Sequence, residues 1–536
     1  MTLEADIVIV GSGASGAAAA WSLSQDKNLR IVCLEQGQEQ DATRYPSSKI
    51  TWEIAKAHHS SFDPNIRKND ADYPIDNTSS PISLANFNGF GGSTILYSGH
   101  FPRFHPSDFK TKTLDSVGED WPFCYEDLEP YFTVNEQMMG VAGLVGDPAY
   151  PEFDALLPPV PLGEGGRKLA QAFNDLQWHW WPSYSAINTK NHQNRGQCIN
   201  LGPCNTGCAQ GAKGSVDVTY WPKARLQGVQ VLTESTVFNI ALDDKGNAKG
   251  VEYFDKDGVQ QFLAAKLVVL ACSGAGTPRL LLQSRSSQYP NGLLNNYDVV
   301  GRNLMLHPLA YIEGVFDDPI NSSIGPQGCS LLSQQFYETD ASRDFVRGYT
   351  MHVLRGTPAL ETATTGFLTR RIPIGKGHHQ AFSRLYNHNM GIAIISEDLA
   401  EPDNRIELDY QHLDKWGLPG IKVSYQLHDN TKKMLKHGID RAKEVFTAAG
   451  AKVNSAFAPV KHAGWHIMGT ARMGSDPTTS VVNQHGQAHA VKNLFIVDSS
   501  IFITAGAVNP VATAQALTLK ICDGIRHNFT QWANHD

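Results

Sequence analysis

The sequence predicts an α/β protein: a parallel sheet begun by the N-terminal residues and completed close to the C-terminus, with a mostly antiparallel domain inserted between. Three observations predict it. Residues 6–10, Asp-Ile-Val-Ile-Val, are a short apolar run that leads into a glycine-rich turn, an alanine-rich helix over 17–23 and a second apolar run, Ile31-Val-Cys-Leu34. Two further uninterrupted apolar runs, 267–271 and 493–497, read as buried strands of the same kind. Residues 310–430 instead alternate polar with aromatic and β-branched residues, the pattern of half-buried antiparallel strands.

The remaining elements follow in chain order. Residues 40–110 show weak periodicity and contain Asn88-Gly-Phe-Gly91-Gly92-Ser93-Thr94, which is loop chemistry. Residues 112–225 are rich in Trp, Pro and Tyr and read as mostly irregular. Residues 229–241 and 248–254 alternate like strands, and Thr277-Pro278 opens a helix to Ser284. Met434, Leu435, Ile439, Ala442, Val445 and Phe446 mark one face of a helix over 430–450, and 512–525 read as a last helix. The expected division is residues 1–305 with 456–536 as one domain and 306–455 as the other.

Composition excludes several classes. With 536 residues, 41% hydrophobic and 18% charged, the chain can bury a large core and is not disordered. The 47 Gly and 28 Pro follow no period, which excludes collagen. A formal charge of −8 argues against nucleic acid as a partner. No run reaches about 18 apolar residues, so no membrane-spanning helix is expected. The N-terminus shows no basic and apolar leader, so the expected location is the cytoplasm, or the periplasm if a partner subunit carries the chain there.

The turn Gly11-Ser-Gly13-Ala-Ser-Gly16 has the spacing of a dinucleotide site. Gly11 permits the tight turn, Gly13 the approach of a pyrophosphate, and Gly16 the packing of helix on strand. The helix N-terminus carries about half a positive charge and attracts phosphate. Glu35, 24 residues beyond Gly11, ends the second strand, where a carboxylate can accept both hydroxyls of an adenosine ribose. The bland alternative is a tight turn in some other α/β domain. Gly91-Gly92-Ser93-Thr94 offers further N–H groups to an anion or ring, and Asp498 ends the last buried strand; a nicotinamide cofactor that comes and goes would need neither.

These motifs resemble the glucose–methanol–choline (GMC) family of flavin oxidoreductases along essentially the whole chain. The likeness rests on Gly11–Gly16 with Glu35, on Phe90–Thr94, on Leu270–Leu282, on Gly301–Met305 with His307-Pro308, on His466-Ile-Met-Gly-Thr470, and on Asn493–Asp498 followed by Val508-Asn509-Pro510. Asp120-Trp-Pro122, Tyr125–Tyr131 and Pro402–Ile406 look most like bacterial sugar dehydrogenase catalytic subunits. The resemblance implies the GMC fold, with a Rossmann-like FAD-binding domain and a substrate domain. It implies FAD held by Gly11, Ser12, Gly13, Ser15, Gly16, Glu35 and Gln36 at the ADP half, with Val237 touching adenine through its backbone. Gly91, Gly92 and Ser93 would line the flavin, with Ser273, Asn509, Pro510 and Val511 nearby and Asp498 at the pyrophosphate or ribityl chain. Some relatives attach FAD through a His where this chain has Leu96, so a non-covalent flavin is expected; His100 is a poor substitute, and Tyr97 stands where most relatives carry Asn or Trp.

The resemblance also implies the chemistry: oxidation of a CH–OH group by hydride transfer to flavin N5. Such a reaction needs a base with a pKa near neutrality, and His starts at about 6.5. The chain has 20 His, and a lone His in an apolar segment is more often a core residue. His466 is singled out because it matches the family's catalytic position, with Asn509 at the partner position. Asn can donate to the forming alkoxide but cannot titrate; before Pro510, Asn509 also reads as a helix cap.

Cys198, Cys204 and Cys208 lie close together in a Gly/Pro/Asn loop. The likeness leaves two readings open: an iron–sulfur cluster, as some family sugar dehydrogenases hold, or a structural loop of free thiols or one disulfide. Zinc would want a fourth ligand, for which His192 is nearby. The expected substrate is a sugar or glycoside, with a non-sugar alcohol oxidised by O2 as the alternative; the acceptor is O2 or a quinone or cytochrome, and a small or cytochrome partner subunit goes with the latter. A lyase that keeps FAD as scaffold, and a flavin-free binding module, are the readings outside redox chemistry.

Overall fold

The computed structural model describes residues 4–153 and 156–533. Strand Glu4–Val10 lies inside a seven-stranded sheet, parallel to Ile31–Leu34 on one side and to Gln260–Leu270 on the other, with Ile7 opposite Ile31 and Leu267. Leu494–Ile496 pairs parallel with the end of Gln260–Leu270, so the first and last strands share one sheet. Thr236–Leu242, Ala248–Phe254 and the first half of Gln260–Leu270 form an antiparallel meander at one edge, and Gln230–Leu232 closes the other. Burial on both faces explains the uninterrupted apolar runs: Ile7, Val8, Ile9, Val268, Val269 and Phe495 are all fully buried.

The second sheet has six antiparallel strands, in the order Lys452–Phe457, Leu309–Val315, Asn389–Ser396, Tyr349–Leu354, Leu331–Ser333 and Trp181–Pro182. Helix Asp429–Ala448 lays Met434, Leu435, Ala442, Val445 and Phe446 on it, against Ile312 and Ile394. Each such side chain contributes about 1.5–3 kcal/mol by leaving water.

Four expectations need correction. The stretch 310–430 is not one sheet: it includes helices Ala359–Leu368 and His378–Ser383, and its hairpin Arg405–Leu413/Pro419–Ser424 joins Ile75–Ser79 in a separate three-stranded sheet. Alternation specifies a half-buried strand but not its partner. The stretch 112–225 is more regular than it reads, with helices Glu129–Met139, Gly163–Asp175 and Tyr220–Leu226. The expected boundary at 455/456 falls inside strand Lys452–Phe457. Helix Ser273–Gln283 begins before Pro278 rather than at it. The missing proline N–H leaves the Gly274 carbonyl without its helical donor, and Thr470 Oγ1 donates to that carbonyl at 2.7 Å. Among the described residues no helix is long and apolar enough to cross a membrane.

Candidate active site

A cavity of about 600 Å³ runs from the glycine turn at the parallel sheet to the face of the second sheet. Gly11, Ser12, Gly13, Ser15, Glu35, Gln36, Gly92, Ser93, Val237, Ser273, Asp498, His466, Asn509, Pro510 and Val511 all line it. Gly16 and Gly91 do not; they act one layer behind. A Cβ on Gly16 would lie 1.9 Å from the Gly11 carbonyl oxygen, so the helix could not pack there with any side chain. Gly91 N–H donates to Ser12 Oγ at 3.2 Å, tying the two glycine loops together. The tie is tight: a Cβ on Gly92, whose φ is +56°, would lie 2.6 Å from Gly13 Cα.

The residues at this end fit the dinucleotide expected from the motif. The N–H groups of Gly13, Ala14, Ser15 and Gly16 meet no acceptor among the described residues, and Gly13, Ala14 and Ser15 border the cavity, so donors suited to phosphate oxygens are present. Glu35 differs from expectation in one respect. Its carboxylate already accepts from Ser12 N at 3.0 Å, Ser12 Oγ at 2.7 Å and Gly37 N at 2.8 Å, so as placed it retains one acceptor site rather than two. Asp498 likewise accepts from Ser273 N, Thr277 Oγ1 and Ser500 N, and burial raises its pKa. Leu96 and Tyr97 line the cavity, and Tyr97 donates to the Gly214 carbonyl at 2.7 Å.

At the other end the backbone bridge between Met305 and Met468 brings His307 against His466. His307 Nε2 lies 2.9 Å from the Gly506 carbonyl oxygen and 3.2 Å from that of Ala505. A carbonyl only accepts, so Nε2 of His307 carries a hydrogen. Burial holds His307 down to about 4, so its ring is neutral and Nδ1 is an acceptor. Nδ1 of His466 lies 2.8 Å from it and must donate. His466 is also held neutral, well below the usual imidazole value, by burial and by the neighbouring His307 and His352. Its lone pair is therefore on Nε2. Asn509 Nδ2 donates to that atom at 3.1 Å, and Asn509 Oδ1 has no partner among the described residues. The hydrogen-bond partners thus put the lone pair of His466 on Nε2, while burial holds the ring well below the near-neutral value expected of the base.

In the sequence His307 stands only within a motif, and nothing there points to Lys213. The buried Lys213 Nζ donates to the carbonyls of Thr94, Ile95, Tyr97 and Cys204, bracing the turn after Gly92 against the cysteine loop. Burial lowers it to about 8. A lysine in a loop of Gly, Ala, Gln and Ser does not name its acceptors. The cysteine loop itself does not assemble the cluster that its spacing left open. Cys198 and Cys204 pack with Cys329 against Ala142, Leu157, Val160 and Ile187, and burial raises both thiols. His192 Nε2 donates to the Gln137 carbonyl at 2.9 Å. Among the described residues no group of three or more His, Cys, Asp or Glu is placed to hold a metal ion.

Comparison with known proteins agrees with this architecture. Residues 184–309 and 400–518 match the two models of the GMC oxidoreductases, and residues 9–40 match an NAD(P)-binding Rossmann-like domain. The 2-methyl-1,2-propanediol dehydrogenase of Mycolicibacterium austroafricanum is 37% identical over 98% of this chain and 96% of its own. The fructose dehydrogenase large subunit of Gluconobacter japonicus is 27% identical over 99% of both chains. The crystal structure of pyridoxine 4-oxidase from Mesorbium loti shares the fold, with a TM-score of 0.69 at 18% identity over 98% of this chain and 99% of that one. The chain belongs to the GMC oxidoreductases, enzymes that act on the CH–OH group of alcohols or sugars, and the family implies FAD as its cofactor.

Proposed function

We propose that this protein is a dehydrogenase of a small polyhydroxy alcohol, from a vicinal diol to a sugar, with His466 as base. The carrying observation is the hydrogen-bond chain Gly506 carbonyl–His307–His466, which leaves the Nε2 lone pair of His466 in the cavity. In this reading Gly11, Ser12, Gly13, Ser15, Gly16, Glu35, Gln36 and Val237 hold the ADP half of FAD. Gly91, Gly92, Ser93, Ser273, Asp498, Pro510 and Val511 hold the rest, without a covalent bond because Leu96 has no nucleophile. Residues up to 305 and those after strand Lys452–Phe457 carry the cofactor, and the second sheet supplies the wall facing the substrate, with Tyr311, His352, Leu354 and Ile395. FAD, when bound, supplies a hydride acceptor. His466 Nε2 takes the hydroxyl proton, and the imidazolium so formed keeps its Nδ1–H on His307, a charge-assisted hydrogen bond. Asn509 Nδ2, released from Nε2 by the incoming alcohol, donates to the oxygen as negative charge develops on it.

The names of the relatives support the substrate class, since a propanediol and fructose each carry more than one hydroxyl. Both names also say dehydrogenase, which supports a quinone or cytochrome acceptor over O2, and "large subunit" supports a partner chain for the second. The test is a screen of diols, sugars and simple alcohols against O2 and an artificial quinone, with anaerobic bleaching of the flavin as readout. Bleaching by a polyol and turnover with the quinone are expected. A flavin that stays yellow with every alcohol would sink the proposal and leave the lyase reading.

A further inference from the structure

Two histidines that the chemistry at His466 does not use lie on the wall of the same cavity. His100 follows the turn Gly92–Ile95, and His352 sits on strand Tyr349–Leu354 of the second sheet. Their rings stack, with centroids 3.8 Å and planes 19° apart. They are 1% and 5% exposed, and burial keeps both neutral. Both lie close enough to His466 for charge on one to be felt at the other.

A neutral imidazole has one N–H and one lone pair, and the partners decide which nitrogen has which. His352 Nε2 lies 2.6 Å from the Gly328 carbonyl oxygen and must donate to it, so His352 Nδ1 is a lone pair, and no described residue donates to it. His100 Nδ1 lies 2.6 Å from Ser183 Oγ. That hydroxyl has no other acceptor among the described residues, so its proton goes to Nδ1 and the hydrogen of His100 sits on Nε2. His100 Nε2 is buried and has no hydrogen-bond partner among the described residues. The stack therefore carries an unpaired donor on one ring and, on the other, an acceptor to which no described residue donates, without net charge. A hydroxyl both donates and accepts. A carboxylate only accepts, an ammonium only donates, and a methyl group leaves both nitrogens unpaired.

We propose that the His100–His352 stack binds a second hydroxyl of the substrate and so selects a polyhydroxy alcohol over a mono-alcohol. The proposal rests on His466 as the base acting on the first hydroxyl. The test uses flavin-loaded wild type, His100→Phe and His352→Phe, variants that keep an aromatic ring in the stack. The donors are 1-propanol and whichever of 1,2-propanediol and D-fructose the wild type oxidises faster. The expected result is a fall of at least about 10-fold in kcat/KM for the polyol, mostly in KM, with less than about 3-fold change for 1-propanol and an unchanged flavin spectrum. Equal falls for both donors, or no fall for either, would overturn the proposal. Loss of flavin from both variants would assign the stack to the cofactor and overturn it as well. Wild-type turnover in His466→Ala would instead remove the base reading, an outcome separable from any result with the stack.

Discussion

The two ends of the cavity are built by different means. At the nucleotide end, Gly11 to Glu35 supply backbone N–H groups, a helix terminus and one carboxylate from a single 25-residue stretch. At the reactive end, His307, His466 and Asn509, with the His100–His352 stack on the same wall, come from five separate segments, and the site is built of their side chains. The first end rests on close backbone approach, where an added Cβ at Gly16 or Gly92 would collide; the second depends on which ring nitrogen bears a proton. Substitutions at the two ends should therefore fail in different observables, cofactor content against rate.

His466→Ala should show the largest effect. Loss of the base is expected to lower turnover by about 10²–10⁴-fold while FAD stays bound. Turnover near wild type would remove His466 from the mechanism. His307→Leu should follow, at about 10–100-fold, because without an acceptor for Nδ1–H the His466 proton is free to move to Nε2. His307→Gln, whose amide oxygen can accept, should recover part of the loss; equal losses in the two variants would reduce His307 to packing.

Asn509→Ala tests the donor at the same end. It should slow flavin reduction at saturating alcohol by about 10-fold, and an unchanged rate would demote Asn509 to a helix cap. Gly92→Ala tests the other end. The added Cβ would meet Gly13 Cα at 2.6 Å, so the purified protein should hold less flavin. The loaded fraction should turn over nearly as wild type. Full flavin content with a slow rate would erase the contrast between the ends.

The smallest effect is on stability against pH. Burial holds His307 and His352 to about 4, below the roughly 6.5 of an unfolded chain. The unfolded state then binds more protons below pH 6.5. Stability from these groups is complete above that value and lost as pH falls toward about 4. Denaturant midpoints measured from pH 7 to 4.5 should fall, and less steeply in His352→Phe. An equal slope in that variant would mean that His352 does not titrate in this window.

The glycine turn, its flanking strands and the helix over 429–448 were legible because each is a local pattern of hydrophobicity and turn chemistry. His466 and Asn509 were legible only through the family motif, since nothing in a run of residues distinguishes one histidine of 20. The hairpin 405–424 was read as strand but placed in the wrong sheet, because alternation records burial of one face and not the identity of the neighbour. The cysteine spacing suggested ligands, yet the loop turns Cys198 and Cys204 onto an apolar wall.

By itself the sequence determined the parallel sheet, the nucleotide turn and the apolar faces, since short-range sterics and the burial of one face fix these. Only the tertiary structure decided that His307 orients His466, that Lys213 braces the turn at Gly92, and that His100 meets His352. Each is a contact between segments more than 100 residues apart, and proton position on a buried imidazole follows from whichever acceptor the fold brings to it.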